Sequence, residues 1–224
     1  MLDLKRIKAV FFDFDDTLGN RERYAYDCYT RVIHDNADIE DPVEFEAVIQ
    51  DCMLWDQKGN ENKRYVKAKL KEKYNIILPQ EDFNTYWNSI LWEYCVPFED
   101  AEETLEILSK KYLLGLVTNG ESEAQRMKLK KAGLERFFTE NTIVVSGDRG
   151  IHKPDVRIFQ EAMKKLNVAP EESVFVGDIF SNDVLGAYRA GMTPVWMWNH
   201  GERRCNADIK VIHHLKELIA YLQQ

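Results

Sequence analysis

Asp13, Asp15, Asp16 and Thr17 follow directly on a short apolar run, Ala9 to Phe12. Such a run reads as a buried strand of a parallel sheet, and it ends abruptly in three carboxylates and a hydroxyl. In extended backbone, side chains two residues apart share a side, so Asp13 and Asp15 address one point while Phe14 turns away. That pair suits a hard cation and a phosphate. In open α/β sheets, ligands lie beyond the carboxyl ends of the strands, where these residues are expected. Asp-x-Asp beside a turn is also a common local hydrogen-bonding device, so it gains meaning only if other strand ends supply matching parts.

Three later segments supply them. The run at 113–117 ends in Thr118-Asn119-Gly120, the strand expected at 142–145 leads into a loop carrying Lys153, and the run at 173–176 ends in Gly177-Asp178, with Asp183 close behind. In a parallel sheet all of these open onto one edge. The chemistry that needs them together is phosphoryl transfer, where positioning and charge stabilisation supply nearly all of the catalysis. Asp13 is the expected nucleophile, forming an aspartyl-phosphate. Two anions must be screened from each other, and Mg2+ held by Asp13, a backbone carbonyl from the Asp15 loop, and Asp178 would do so, with Asp183 orienting a ligand or water from behind. Lys153 places a cation beside the phosphoryl oxygens, while Thr118 and the N–H groups of Asn119 and Gly120 hold the phosphate. Asp15 remains for proton transfer, first to the departing alkoxide and then from the hydrolytic water.

The elements that must position these groups fall into two kinds. Between residues 19 and 98 the pattern is helical, with segments at 21–36, 42–55, 62–74 and 81–92. The second carries Phe45, Val48, Ile49, Cys52 and Met53 at the spacing of one buried face. Trp55, Trp87 and Trp92 read as core of this inserted bundle. From Pro97 onward helix and strand alternate, which implies a doubly wound parallel sheet with helices on both faces. Asp155 is expected to cap a helix running to Leu166. Lys128, Lys130 and Lys131 read as a solvated face.

Composition narrows the partners. The chain has 224 residues, 45% hydrophobic and 30% charged, with a formal net charge of -8, which offers no basic face for a nucleic-acid polymer. No apolar stretch reaches the length of a membrane span, and the run after Lys5, Arg6 and Lys8 is cut at Asp13, too short for a signal-peptide core. Cys28, Cys52, Cys95 and Cys205 show no Cys-x-x-Cys spacing and read as reduced thiols of a cytoplasmic protein. The five histidines form no metal-ligand pattern. The expected partner is a small-molecule phosphate ester, with the protein a monomer or homodimer.

Together these motifs resemble those of the haloacid dehalogenase superfamily. Asp13-Phe14-Asp15-Asp16-Thr17-Leu18 looks like its first motif, Thr118 its second, Lys153-Pro154-Asp155 its third, and Gly177-Asp178 through Asp183 its fourth. The resemblance implies a three-layer Rossmann-like α/β core at 1–18 and 99–224, a helical cap at 19–98, a magnesium requirement and aspartyl-phosphate chemistry. Asp16 departs from the glycine often found there. Dehalogenases of the superfamily have a non-acidic residue in place of Asp15, so the resemblance favours a phosphomonoester phosphatase. Residues 117–121 and 150–155 look most like pyrimidine and deoxynucleotide 5′-phosphatases, although many sugar-phosphate phosphatases share those features; the resemblance implies a small phosphorylated metabolite, with a nucleoside monophosphate as one candidate. A phosphosugar mutase is the alternative on the same scaffold. Less favoured are a dehalogenase, a phosphonate-cleaving enzyme using Lys58 or Lys63, and a non-catalytic binding protein. Arg21, Arg23, Trp55, Asn60, Asn62 and Arg64 are the cap positions to inspect for substrate choice, each reading first as structural or solvent-facing.

Overall fold

The computed structural model describes residues 4–201 and 204–223. It divides into two compact units, one of Met1–Asn20 with Pro97–Gln224, the other of Arg21–Val96. The divisions fall two residues from those expected.

The first unit is built on one six-stranded, all-parallel sheet. Its strands are β1 (Ala9–Phe12), β2 (Leu113–Thr118), β3 (Ile143–Val145), β4 (Ser173–Gly177), β5 (Thr193–Met197) and β6 (Lys210–Ile212), in the order β3-β2-β1-β4-β5-β6. The order steps outward from β1 in both directions, so β1 lies at the centre, between β2 and β4. The reversal of strand order there opens the crevice in which such sheets bind ligands. Ala9 to Phe12 and Ser173 to Gly177 are buried throughout, as strands covered on both faces must be. Ala9, Phe11, Val117, Val144 and Phe175 pack with Ile158, Phe159, Ala162 and Met163 of a helix into one core.

The second unit is helical: α1 (Arg21–Asn36), α2 (Pro42–Asp56), α3 (Lys63–Tyr74) and α4 (Phe83–Ile90). The expected fourth helix ends early, because Leu91–Tyr94 tightens into a 3-10 turn. Asp41, Asn62 and Asp82 cap α2, α3 and α4 through their side chains, which satisfies amide groups that the helices cannot. Of the three tryptophans expected in this core, Trp87 is buried, whereas Trp55 and Trp92 are half-exposed.

The remaining helices belong to the first unit: α5 (Ala101–Ser109), α6 (Ser122–Lys131), α7 (Ser146–Arg149), α8 (Val156–Leu166), α9 (Leu185–Arg189) and α10 (Glu217–Leu222). Asp155 caps α8 as expected, accepting from Arg157 N at 2.9 Å. The loop after β4 forms a π-helical turn at Phe180–Val184 before α9 begins. Among the described residues, no helix is long and apolar enough to cross a membrane.

Candidate active site

The turn after β1 is closed by a single carbonyl: Phe14 O accepts from Thr17 N, Leu18 N and Gly19 N at 3.2, 2.9 and 2.8 Å. Asp13 N still donates to Val176 O of β4 at 2.9 Å, so Asp13 is held by the sheet itself. Asp16 sits at φ 53, in the left-handed region that glycine enters freely and aspartate more readily than most residues. This explains both the glycine often found at that position and the tolerance for Asp here.

Beyond the strand ends the carboxylates of Asp13, Asp178 and Asp183 converge, with one oxygen from each within 4.8 Å of the others, and all three side chains buried. Lys153 Nζ lies 2.6 Å from Asp13 Oδ1 and 2.7 Å from Asp183 Oδ1, and it too is buried. Burial pushes the Asp13 carboxyl up to about 7, with Lys153 pulling it down and Asp183 and Asp15 adding to the rise. Burial would lower Lys153, but Asp13 and Asp183 outweigh it and raise the lysine above its ordinary range. The lysine is therefore a firm cation, and full ionisation of the carboxyl groups around it would leave more negative charge than it can balance. With Asp15 and its partner Lys128 included, four carboxylates face two ammonium groups, a deficit that one divalent cation closes. The donor set is all oxygen and suits a hard cation.

The loop after β4 is fastened on both sides. Trp196 Nε1 donates to Asp178 O at 2.7 Å, and Ile179 N donates to Asp183 Oδ2 at 2.8 Å. Gly177 permits this: a Cβ there would lie 2.4 Å from Asp183 Cβ and Cγ. Thr118 is buried at the end of β2. Gly120 adopts φ 143, and its N–H, expected to hold phosphate, is donated instead to Ser146 Oγ at 3.0 Å, which ties the loop after β2 to the start of α7.

All the expected catalytic residues thus lie at one edge of the sheet, with some differences in what each side chain does. Asn119 turns its side-chain amide to the main chain of Lys153, leaving backbone groups of the loop as its means of holding phosphate. Asp15 stands outside the three-carboxylate cluster and is bound by Lys128 and Gln125 of α6. Lys128 is a correction: it is 4% exposed, where a solvated lysine was expected, whereas Lys130 and Lys131 do face solvent. Its position three residues after Gln125, on the face that also buries Leu129, is the signal that could have found it.

Several candidate positions of the helical unit have local work. Arg21 is buried against Asp56 at 2.6 Å, and Lys63 against the same carboxylate at 2.5 Å. Asn62 Oδ1 caps α3, Asn60 Nδ2 donates to Gln57 O, and Arg64 lies 3.4 Å from Asp82. Arg23 is exposed, and Trp55 lies 6.3 Å from Tyr74, ring to ring.

A family model described as haloacid dehalogenase-like hydrolase matches residues 7–191. The chain is 33% identical over 194 residues to the glyceraldehyde 3-phosphate phosphatase of Methanothermobacter thermautotrophicus, covering 84% of each protein. It is 26% identical over 224 residues to the human N-acylneuraminate-9-phosphatase, covering 89% of this chain and 86% of that one. Among solved structures, the magnesium-bound putative HAD-hydrolase YfnB from Bacillus subtilis superposes with a TM-score of 0.79 at 23% identity, over 98% of this chain and 100% of that one.

Proposed function

Because the chain belongs to the haloacid dehalogenase-like hydrolases, we propose that it is a magnesium-dependent phosphomonoester phosphatase acting on a small phosphorylated metabolite through an aspartyl-phosphate. The observation that carries this reading is the buried cluster of Asp13, Asp178 and Asp183 with Lys153 Nζ 2.6 Å from Asp13. A binding protein has no use for a nucleophile, an acid and a cation site together.

Asp13, fixed by its N–H to β4, attacks phosphorus as the ester P–O bond breaks. The electron pair of that bond leaves on the alcohol oxygen, which takes a proton from Asp15. Water then attacks phosphorus, giving a proton to Asp15, while the bond from phosphorus to Asp13 breaks and returns its electron pair to the carboxylate, releasing inorganic phosphate. Lys153 stays charged throughout and offsets the charge on Asp13 and the phosphoryl oxygens. Thr118 and the N–H of Asn119 hold the phosphate, the Gly120 N–H being engaged by Ser146 Oγ. Asp13, Asp178 and a backbone carbonyl of the Asp15 loop would hold magnesium, with Asp183 behind them, and the ion would supply charge screening between nucleophile and substrate.

The relatives named above carry phosphatase names with unlike substrates, a triose phosphate and a nine-position sugar acid phosphate. The helical unit is the cap in this reading, and substrate choice belongs to it. Release of inorganic phosphate, with and without magnesium, is to be measured across glyceraldehyde 3-phosphate, sugar phosphates and nucleoside monophosphates, with Asp13→Asn as control. Magnesium-dependent release by the wild type, reduced at least about a thousandfold in the variant, is the expected result. Undiminished release by Asp13→Asn overturns the mechanism. Phosphate transfer between sugar hydroxyls with little net release would make the enzyme a mutase.

A further inference from the structure

The Asp15 carboxylate is gripped from α6. Lys128 Nζ lies 2.7 Å from Asp15 Oδ1 and 2.5 Å from Oδ2, and Gln125 Nε2 donates to Oδ2 at 3.2 Å. Gln125 Nε2 also donates to Asn119 O at 3.0 Å, so the same amide ties Asp15 to the loop after β2. Lys128 and Gln125 are both buried, and the Lys128 ammonium sits 5.7 Å from the centroid of the Phe14 ring.

This arrangement is costly to build. An ammonium withdrawn from water loses hydration that a charged partner must offset. Lys130 and Lys131, on the same helix, leave their charges in solvent. Lys128 instead turns inward onto a carboxylate that, under the phosphatase reading, must meet the leaving oxygen of the substrate. An aspartate at the tip of a turn has two side-chain torsions to settle, and proton transfer needs the carboxyl at hydrogen-bond distance from the reacting oxygen. Two donors on one helix face, three residues apart, fix both of its oxygens.

We propose that Lys128, assisted by Gln125, is the positioning residue for Asp15, holding its carboxyl in the one orientation from which it protonates the leaving alcohol. The proposal rests on the phosphatase reading and adds to it a residue that touches neither nucleophile nor phosphate in the reaction described above. In the first half-reaction the bond from Asp13 to phosphorus forms and the ester bond breaks. The leaving oxygen takes the electron pair and the Asp15 proton. Lys128 orients the group that gives this proton and neither gives nor takes one itself.

The test is a ratio. For each enzyme kcat/KM is measured on an aliphatic phosphomonoester, whose alkoxide must be protonated as it leaves, and on p-nitrophenyl phosphate, whose phenolate leaves without a proton. Since kcat/KM covers only the steps up to cleavage of the ester bond, the later use of Asp15 toward water does not enter. The ratio of the two values does not depend on the fraction of enzyme that is folded. In Lys128→Met, aliphatic kcat/KM is expected to fall about ten- to a hundredfold further than the aryl value. Asp15→Asn should shift the ratio in the same sense and further, and Lys128→Arg should recover part of it. Should Lys128→Met not fold, Gln125→Met, which removes the weaker of the two donors, is expected to shift the ratio in the same direction by less. An equal fall on both substrates would reduce Lys128 to a brace between α6 and the turn after β1, overturning the proposal alone. A wild type that turns over neither substrate would overturn the phosphatase reading itself, and this inference with it.

Discussion

The side-chain amide of Asn119 clasps the main chain of Lys153 at both ends: Lys153 N donates to Oδ1 at 2.9 Å, and Nδ2 donates to Lys153 O at 3.2 Å. The end of β2 thereby sets the position of a residue on a distant loop. The lysine ammonium sits between Asp13 and Asp183 on a backbone held in this way. One neighbouring residue, Thr118, faces the phosphate site in the proposed reaction, so β2 serves both the substrate and the cation that neutralises it.

Removal of the clasp should leave the fold and loosen the cation. Asn119→Ala is expected to lower kcat about ten- to a hundredfold, the range typical when a supporting partner of a site residue is lost. The melting temperature should change little, because Asn119 and Lys153 lie at the sheet edge and not in its core. Steady-state kinetics beside a thermal melt would check both, and wild-type kcat in the variant would show that the clasp is dispensable.

Gly177 offers a sharper perturbation of the same cluster. A Cβ at this position would stand 2.4 Å from Asp183 Cβ and Cγ, closer than real carbons approach. In Gly177→Ala, Asp183 must move, and Lys153 then loses one of the two carboxylates it contacts. Overpacking of this kind costs about 1–3 kcal/mol, and the displaced lysine adds a loss of activity greater than about tenfold. Denaturant unfolding and kcat, measured on one preparation, should fall together.

Cation binding should depend on pH through Asp13. Its carboxyl is raised by burial from an ordinary 3.8 to about 7, and a metal binds the carboxylate form only. Affinity for magnesium should weaken as pH falls below about 7, approaching tenfold per unit. The readout is the rise in stability on adding magnesium, about 2.7 kcal/mol at a hundred times Kd, larger at pH 8 than at pH 6 for a fixed concentration. The metal-free protein shows the opposite sign. A raised acid favours folding in its neutral form, so this contribution is full below 3.8 and is lost as pH rises through about 7. Equal stabilisation by magnesium at both pH values would place the cation away from Asp13.

The parts of this site that were legible in the sequence are those where a strand pattern and a polar break coincide. Ala9 to Phe12 and Ser173 to Gly177 are continuous buried runs, and the residues that follow them could only lie at the sheet edge. Lys128 was hidden by its neighbours, since three lysines within four positions look alike until the helix is phased against Leu129. Arg21 was hidden differently. It stood among the positions to inspect for substrate choice, with a structural role as the first reading; its partner Asp56 lies at the far end of α2, and nothing local to either residue marks them as a pair. Long-range ion pairs of this kind have no periodic signature, whereas the apolar faces that bring them together do.

Asp56 carries the last prediction. Its carboxylate is fully buried in the helical unit and receives Arg21 Nη1 at 2.6 Å, Lys63 Nζ at 2.5 Å, Tyr29 Oη at 3.0 Å and Gly59 N at 2.8 Å. Burial pushes the carboxyl up, but Arg21 and Lys63 overcome it and hold the group below its ordinary 3.8. Asp56→Asn keeps the volume and leaves two buried cations facing a neutral amide. Breaking a buried pair in this way costs about 3–5 kcal/mol, which should appear as a lowered unfolding midpoint at pH 7. The sign with pH follows from the lowered value: the contribution of Asp56 is complete above 3.8 and is lost as pH falls through the lower value it has in the fold. The gap between wild type and variant should therefore be constant from pH 7 to about pH 5 and narrow in acid. A gap that stays constant into strong acid would show that packing around Asp56, and not its charge, holds the unit together.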